Sequence, residues 1–320
     1  MRNSSIELLR IVAMFSIVLG HVFYHGFQGQ LAESDLLRPF TNCGVNVFIL
    51  ISGYYGIKFK WKTLFDLLLM VSFYTIISGV FLYFIDDTNI NIRQLSGIIL
   101  PFSGNHFYWF ITCYIMLYLL APIINEGIEH LYRQRILKIT PPILIYVNCI
   151  GGWLLGNSLI NDNGYNLMHF ISLYIIARCI KLYDIPNQLK LSHLVISYIC
   201  LFLMISYIGY VHWPMVYLRN SIFMIAISII MLLSFLKIEV HSNLVNNIAK
   251  SMFAVYLIQD GLLGRVLYKY VYEYYCTQSY ALIFLYIMSL FISAYFIEYP
   301  RRFITKAVME CIENRYCKKD

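Results

Sequence analysis

Four ionisable residues share the first apolar segment of the chain: Glu7, Arg10, His21 and His25. Arg10 and His21 are eleven residues apart. On an α-helix that spacing returns them to within ~20° of one face, three turns and ~16 Å apart along the axis. Glu7 stands three residues before Arg10, where the two can pair. An imidazole changes charge near neutral pH, so His21 can take a proton from a reacting hydroxyl; it can also be acylated and pass the group on. The alternative is a neutral histidine bonded to a neighbouring helix. The shared face with Arg10 favours a site. A second set of candidates is scattered further along. Asp260 lies deep in an apolar run with Tyr256 and Gln259 just before it, and it needs a partner such as Arg265 or His21. His106 and Trp109 open another apolar run, where Trp109 reads as an interfacial anchor and His106, at the outer surface, reaches either a sugar or water. Lys58, Lys60 and Lys62 follow the second run and suit either phosphate binding or topology.

Only helices can hold these residues. Sixty per cent of the 320 residues are hydrophobic and 13% are charged, far too little charge to coat a soluble domain. The apolar residues come in runs near 20 residues, the length that crosses a bilayer. In lipid such runs must bond their own backbone, and no barrel-type alternation is present. An all-α, polytopic membrane bundle of about ten helices is therefore expected, near 6–27, 42–59, 62–85, 107–125, 138–155, 167–183, 191–209, 219–237, 250–271 and 280–300. The first is read as a retained helix and not a signal peptide, because Glu7 and Arg10 interrupt it and no cleavage site follows. Gly44, Ser52, Gly53 and Gly56 are expected to let the second helix approach its neighbours. The ninth span is interrupted at Asp260, Gly261, Gly264 and Arg265, and a bend is expected near Gly261, turning Asp260 toward an internal cavity. No linker separates a second domain, so residues 1–320 are read as one membrane-embedded domain.

The net charge of +7 is a topology signal. With the N-terminus inside and ten crossings, only Arg38, Arg93, Arg219, Arg265 and Lys269 of the 24 Lys and Arg residues fall outside, as the positive-inside rule requires. No basic face interleaved with stacking aromatics is present, which argues against a nucleic-acid partner. The eight cysteines show neither metal spacing nor a disulfide framework. No serine-nucleophile elbow, phosphate loop or dinucleotide fingerprint occurs.

Several of these segments, in this order, resemble the membrane-bound acyltransferase-3 family. The resemblance is carried by residues 6–14 (IELLRIVAM), with Arg10 and His21 spaced as in that family's first helix. Residues 45–54, ending Ser52, Gly53 and Tyr54, are similar to its second helix. Residues 109–122 (WFITCYIMLYLLAP) are similar to its fourth, and residues 255–258 (VYLI) followed by Asp260 to a late motif. Two departures stand out. Gln259 occupies a position often held by histidine, which implies hydrogen bonding there and not proton transfer. Lysines 58, 60 and 62 replace paired arginines after the second helix.

The resemblance implies a bacterial cytoplasmic-membrane enzyme, multi-pass, that moves an acyl group, acetyl by expectation, from acyl-CoA to a sugar hydroxyl of a capsule, exopolysaccharide or lipid-linked glycan. It implies no bound cofactor; acetyl-CoA is the donor substrate. His21, Arg10 and Asp260 are the expected catalytic residues. Glu7, Lys58, Lys60, His106, Trp109, Tyr256 and Gln259 are the expected donor- or substrate-binding ones. Rival readings are a flippase or transporter of lipid-linked sugars and a glycan polymerase. Transporters often show inverted repeats with matching broken helices, and only the ninth span is interrupted here. The charge bias makes the first prediction: cysteines introduced at either terminus react only with membrane-permeant reagents in intact cells. Labelling of the C-terminus by an impermeant reagent contradicts an even number of crossings.

Overall fold

The computed structural model describes residues 3–27, 32–85, 108–156, 162–211, 213–261, 263–264, 266–268, 271 and 280–316. Among them no strand occurs, and the protein is an all-α polytopic membrane bundle. The elements are α1 (Ser4–His21), α2 (Ala32–Tyr55), α3 (Trp61–Ile85), α4 (Trp109–Arg133), α5 (Thr140–Ile145), α6 (Leu167–Leu182), α7 (Leu191–Tyr210), α8 (Ile222–Lys237), α9 (Asn243–Ala249), α10 (Met252–Gln259) and α11 (Tyr280–Tyr316). Two π-helical stretches continue α1 (Val22–Gly26) and α5 (Tyr146–Leu154).

Seven helices among the described residues are long and apolar enough to cross a membrane. Three of the ten expected spans are not among them, for separate reasons. α2 is diluted by Arg38, Thr41, Asn42 and Asn46. α6 has 16 residues. The ninth span is broken after Gln259. Exposed apolar side chains such as Ile196, Leu203 and Tyr207 on α7 suit a lipid-facing surface, where burial against protein is not needed.

By their internal contacts the residues fall into two compact units, one of residues 1–59 and 109–249 and one of residues 60–108 and 250–320. The first is organised around α2. Its partner α1 starts on a capped turn, with the Asn3 side chain accepting from the Ser5 N–H at 3.0 Å and Glu7 placed in the first turn, where the helix dipole favours an acid. α1 runs antiparallel to α2: Gly44 faces Ala13, Ser16 and Ile17, and Gly20 faces Thr41. On the other side α6 runs parallel to α2, with Gly53 against Tyr174 and Ala177. A Cβ at Gly44 would lie 2.6 Å from the Ala13 carbonyl oxygen, and one at Gly53 would lie 2.5 Å from that of Tyr174. Both backbones can approach only because these positions carry no side chain, as expected from the sequence. Ser52 instead donates to the Phe48 carbonyl at 3.0 Å.

In the second unit α3, α10 and α11 pack together, pinned by a buried charge cluster. Glu298 accepts from Arg301 Nη2 at 2.7 Å and Nε at 2.8 Å, from Arg302 Nε at 3.0 Å and from the Tyr74 hydroxyl at 3.0 Å. Arg301 also donates to Asp66 at 3.3 Å.

The α2 packing gives a matched pair of expectations. Gly53→Ala loses about 1–3 kcal/mol to overpacking against the α6 backbone. Gly127→Ala, on α4 with nothing within 4 Å of the added carbon, is stabilised by roughly 0.5–1 kcal/mol through helix propensity. Thermal unfolding of the two purified variants beside the wild type checks the contrast.

Candidate functional site

The α1 stripe forms as the spacing requires. α1 is unbroken from Ser4 to His21, so Arg10 and His21 stay on one face with ~16 Å between them along the axis. Glu7 is buried and accepts from Arg10 Nη1 at 3.1 Å. Glu7 pairs with Arg10 as its spacing allows. Because a half-exposed ion pair contributes little stability, Arg10's place here is better explained by charge positioning than by folding. His21 ends the α-helical part, and the chain then widens into the π-turn Val22–Gly26. This device is frequent at functional sites. It places the exposed His25 ring edge-on to His21, centroids 5.4 Å apart, with Tyr24 on His25's other side at 5.0 Å. His21 itself is half-exposed, as a base that meets a substrate must be.

Trp109 starts α4 in the same unit. Its ring lies 4.5 Å from that of Tyr165 and 5.8 Å from that of Phe170, so it belongs to an aromatic cluster and is not a lone interfacial anchor. Lys58 is exposed in the turn after α2, where its carbonyl accepts from the Tyr118 hydroxyl at 3.4 Å.

The remaining candidates lie in the second unit. Asp260 caps α10, its N–H bonded to the Tyr256 carbonyl at 3.0 Å, and is nearly buried. The helix breaks there, as expected near Gly261. The Tyr108 hydroxyl donates to the Leu257 carbonyl at 3.2 Å and sits where a Gly261 side chain would go. A side chain at Gly264 would strike the Gln259 carbonyl, so Gly264 lies against the end of α10. Gln259 is fully buried and accepts from the Tyr268 hydroxyl at 2.7 Å; a hydrogen-bonding role suits it. Tyr256 is buried, its ring 6.4 Å from that of Tyr108. His106 and Arg265 lie outside the described residues. Lys60 caps α3 through its carbonyl, which accepts from Thr63 and Leu64 at 3.1 Å.

A basic pocket of about 430 Å³ opens beside the Glu298 cluster, lined by Lys62, Arg301, Arg302, Lys306, Asp66 and Glu310 among others. Of the three loop lysines only Lys62 reaches it. From sequence Arg302 and Lys306 count only toward topology; their spacing of four residues on one helix face was the available signal. Among the described residues no group of three His, Cys, Asp or Glu side chains lies close enough to hold a metal ion.

Residues 3–298 match the family Acyl_transf_3, described as an acyltransferase domain, and the match runs through both units. No curated protein and no solved structure matches the chain.

The charge cluster is the clearest stability lever in this half. Glu298→Ala strands two arginines and costs about 3–5 kcal/mol. Asp66→Asn, at a carboxylate 51% exposed, costs under ~1 kcal/mol. Unfolding temperatures in detergent measure both.

Proposed function

The chain belongs to the acyltransferase-3 family, and from that premise we propose that it is a membrane O-acyltransferase moving an acetyl group from acetyl-CoA to a sugar hydroxyl of a surface or lipid-linked glycan. The observation that carries the reading is the α1 stripe: an ion-paired arginine and a half-exposed histidine on one face of an unbroken helix. A sugar hydroxyl is a weak nucleophile and must lose its proton as it attacks a thioester. His21 takes that proton as general base; the oxygen bonds to the acyl carbon and the CoA thiolate leaves with the electron pair. Arg10 supplies fixed positive charge to the donor, and Glu7 holds its orientation.

The basic pocket supports the donor half of the reaction. Lys62, Arg302 and Lys306 offer point charges and a guanidinium to phosphates, and by the charge bias they sit on the cytoplasmic side, where acyl-CoA is made. The setting in a bacterial cytoplasmic membrane rests on the family's character.

The reading fixes two outcomes. His21→Ala lowers acetyl transfer by roughly 10²–10⁴-fold while the unfolding temperature stays near that of the wild type. A variant that unfolds yet keeps its specific activity makes His21 a core residue. Neutralising Lys62, Arg302 and Lys306 together raises the donor KM more than it lowers kcat, and the wild-type donor KM rises with salt. A KM insensitive to both places the donor elsewhere.

A further inference from the structure

Arg219 stands just before α8, and its guanidinium is held on two rings, 4.1 Å from the centroid of Tyr165 and 5.4 Å from that of Trp109. Among the described residues no carboxylate lies within 4.0 Å of it, whereas the buried Arg301 is paired with two. Its Nε is buried and has no hydrogen-bond partner among the described residues. The seat is built and not accidental. Gly164 has φ +85, and a Cβ there would lie 2.6 Å from Arg219 Cβ. Only glycine lets the turn carrying Tyr165 close over the arginine.

A buried polar chain holds the Arg219 backbone. Asn46 Nδ2 donates to the Arg219 carbonyl at 2.9 Å, which orients the amide so that Asn46 Oδ1 faces His169 Nε2 at 3.0 Å. The neutral imidazole therefore carries its proton on Nε2, and Nδ1 is a bare acceptor. His169 is fully buried, and Nδ1 meets no donor among the described residues. Asn148 is 1% exposed with both amide atoms equally unmatched, and the next residue, Cys149, bonds the Asn220 carbonyl at 3.5 Å. Buried polar atoms left without partners are costly.

The register of α2 places this group at the His21 end of the unit. Gly20 packs on Thr41, Asn42 donates to the Tyr217 carbonyl at 3.2 Å, and Asn46 reaches Arg219. Thr41 and Asn46 are ~8 Å apart along the helix axis.

We propose that Arg219, seated on Tyr165 and Trp109, binds an acidic sugar of the acceptor: the guanidinium takes the carboxylate. This rests on the acyl-transfer reading and adds the acceptor's charge to it. A carboxylate matches the guanidinium's fork, and the aromatic rings pre-position it.

The test uses the full chain in phosphatidylcholine nanodiscs without donor. A glucuronate-containing disaccharide and its neutral glucose counterpart are titrated, read by tryptophan fluorescence with Trp109→Phe identifying the signal. The acidic disaccharide binds more tightly than the neutral one, and Arg219→Gln weakens it by roughly ten- to a hundredfold, with Arg219→Lys in between. Equal affinity for the two saccharides in the wild type overturns the proposal and needs no variant. So does binding seen only as competition with phosphatidylglycerol discs, which makes the site a lipid-headgroup seat. Acidic binding without acetyl transfer to either sugar sinks the acyl-transfer reading alone; transfer with no preference sinks the acidic-sugar site alone.

Discussion

The close approach of α1 and α6 to α2 is the constraint on which the first unit depends. Gly44 and Gly53 leave no room for a Cβ against the Ala13 and Tyr174 backbones. In lipid, hydrophobic burial does not drive helices together, so backbone-close packing and buried hydrogen bonds must. α2 supplies both. Its glycines set the distance to its neighbours, and its amides at Asn42 and Asn46 tie down the segment leading into α8. That single register fixes which residues share an end of the unit: His21 from α1, and Arg219 from the segment before α8.

Charge is used differently in the two units. In the second, Arg301 is enclosed by Glu298 and Asp66, a satisfied cluster that holds α3 to α11. In the first, Arg10 keeps a carboxylate on one side and partial exposure on the other, and Arg219 rests on aromatic faces. A membrane protein retains under-neutralised cations where a ligand completes them. Arg301 is thus enclosed by carboxylates while Arg10 and Arg219 are not, a distinction that residue type alone does not make.

The helical class, the membrane setting, the α1 stripe, the role of Gly44 and Gly53 and the break near Gly261 were legible in the sequence, because each follows from local periodicity, composition or residue size. The α1 spacing, for instance, needs only 3.6 residues per turn. What was not legible depends on contacts between distant segments. Asn46 and His169 are 123 residues apart; each could be flagged as a polar residue in an apolar run, but not paired. Arg219 read as a topology residue because its ring partners lie in other segments. The basic pocket joins Lys62 to Arg302 and Lys306 from the far end of the chain, a grouping that sequence proximity does not reveal.

Acyl transfer from a thioester to a glycan, proposed above for the helix that carries His21, is open to direct measurement. The most direct measurement follows radiolabelled acetyl-CoA with the purified protein in neutral-lipid nanodiscs and an acidic oligosaccharide acceptor. The account predicts release of free CoA in one-to-one ratio with an alkali-labile acetyl ester on the sugar, and neither product from the His21→Ala protein. Thioester left intact by a folded wild-type protein that nonetheless binds or translocates the glycan contradicts it.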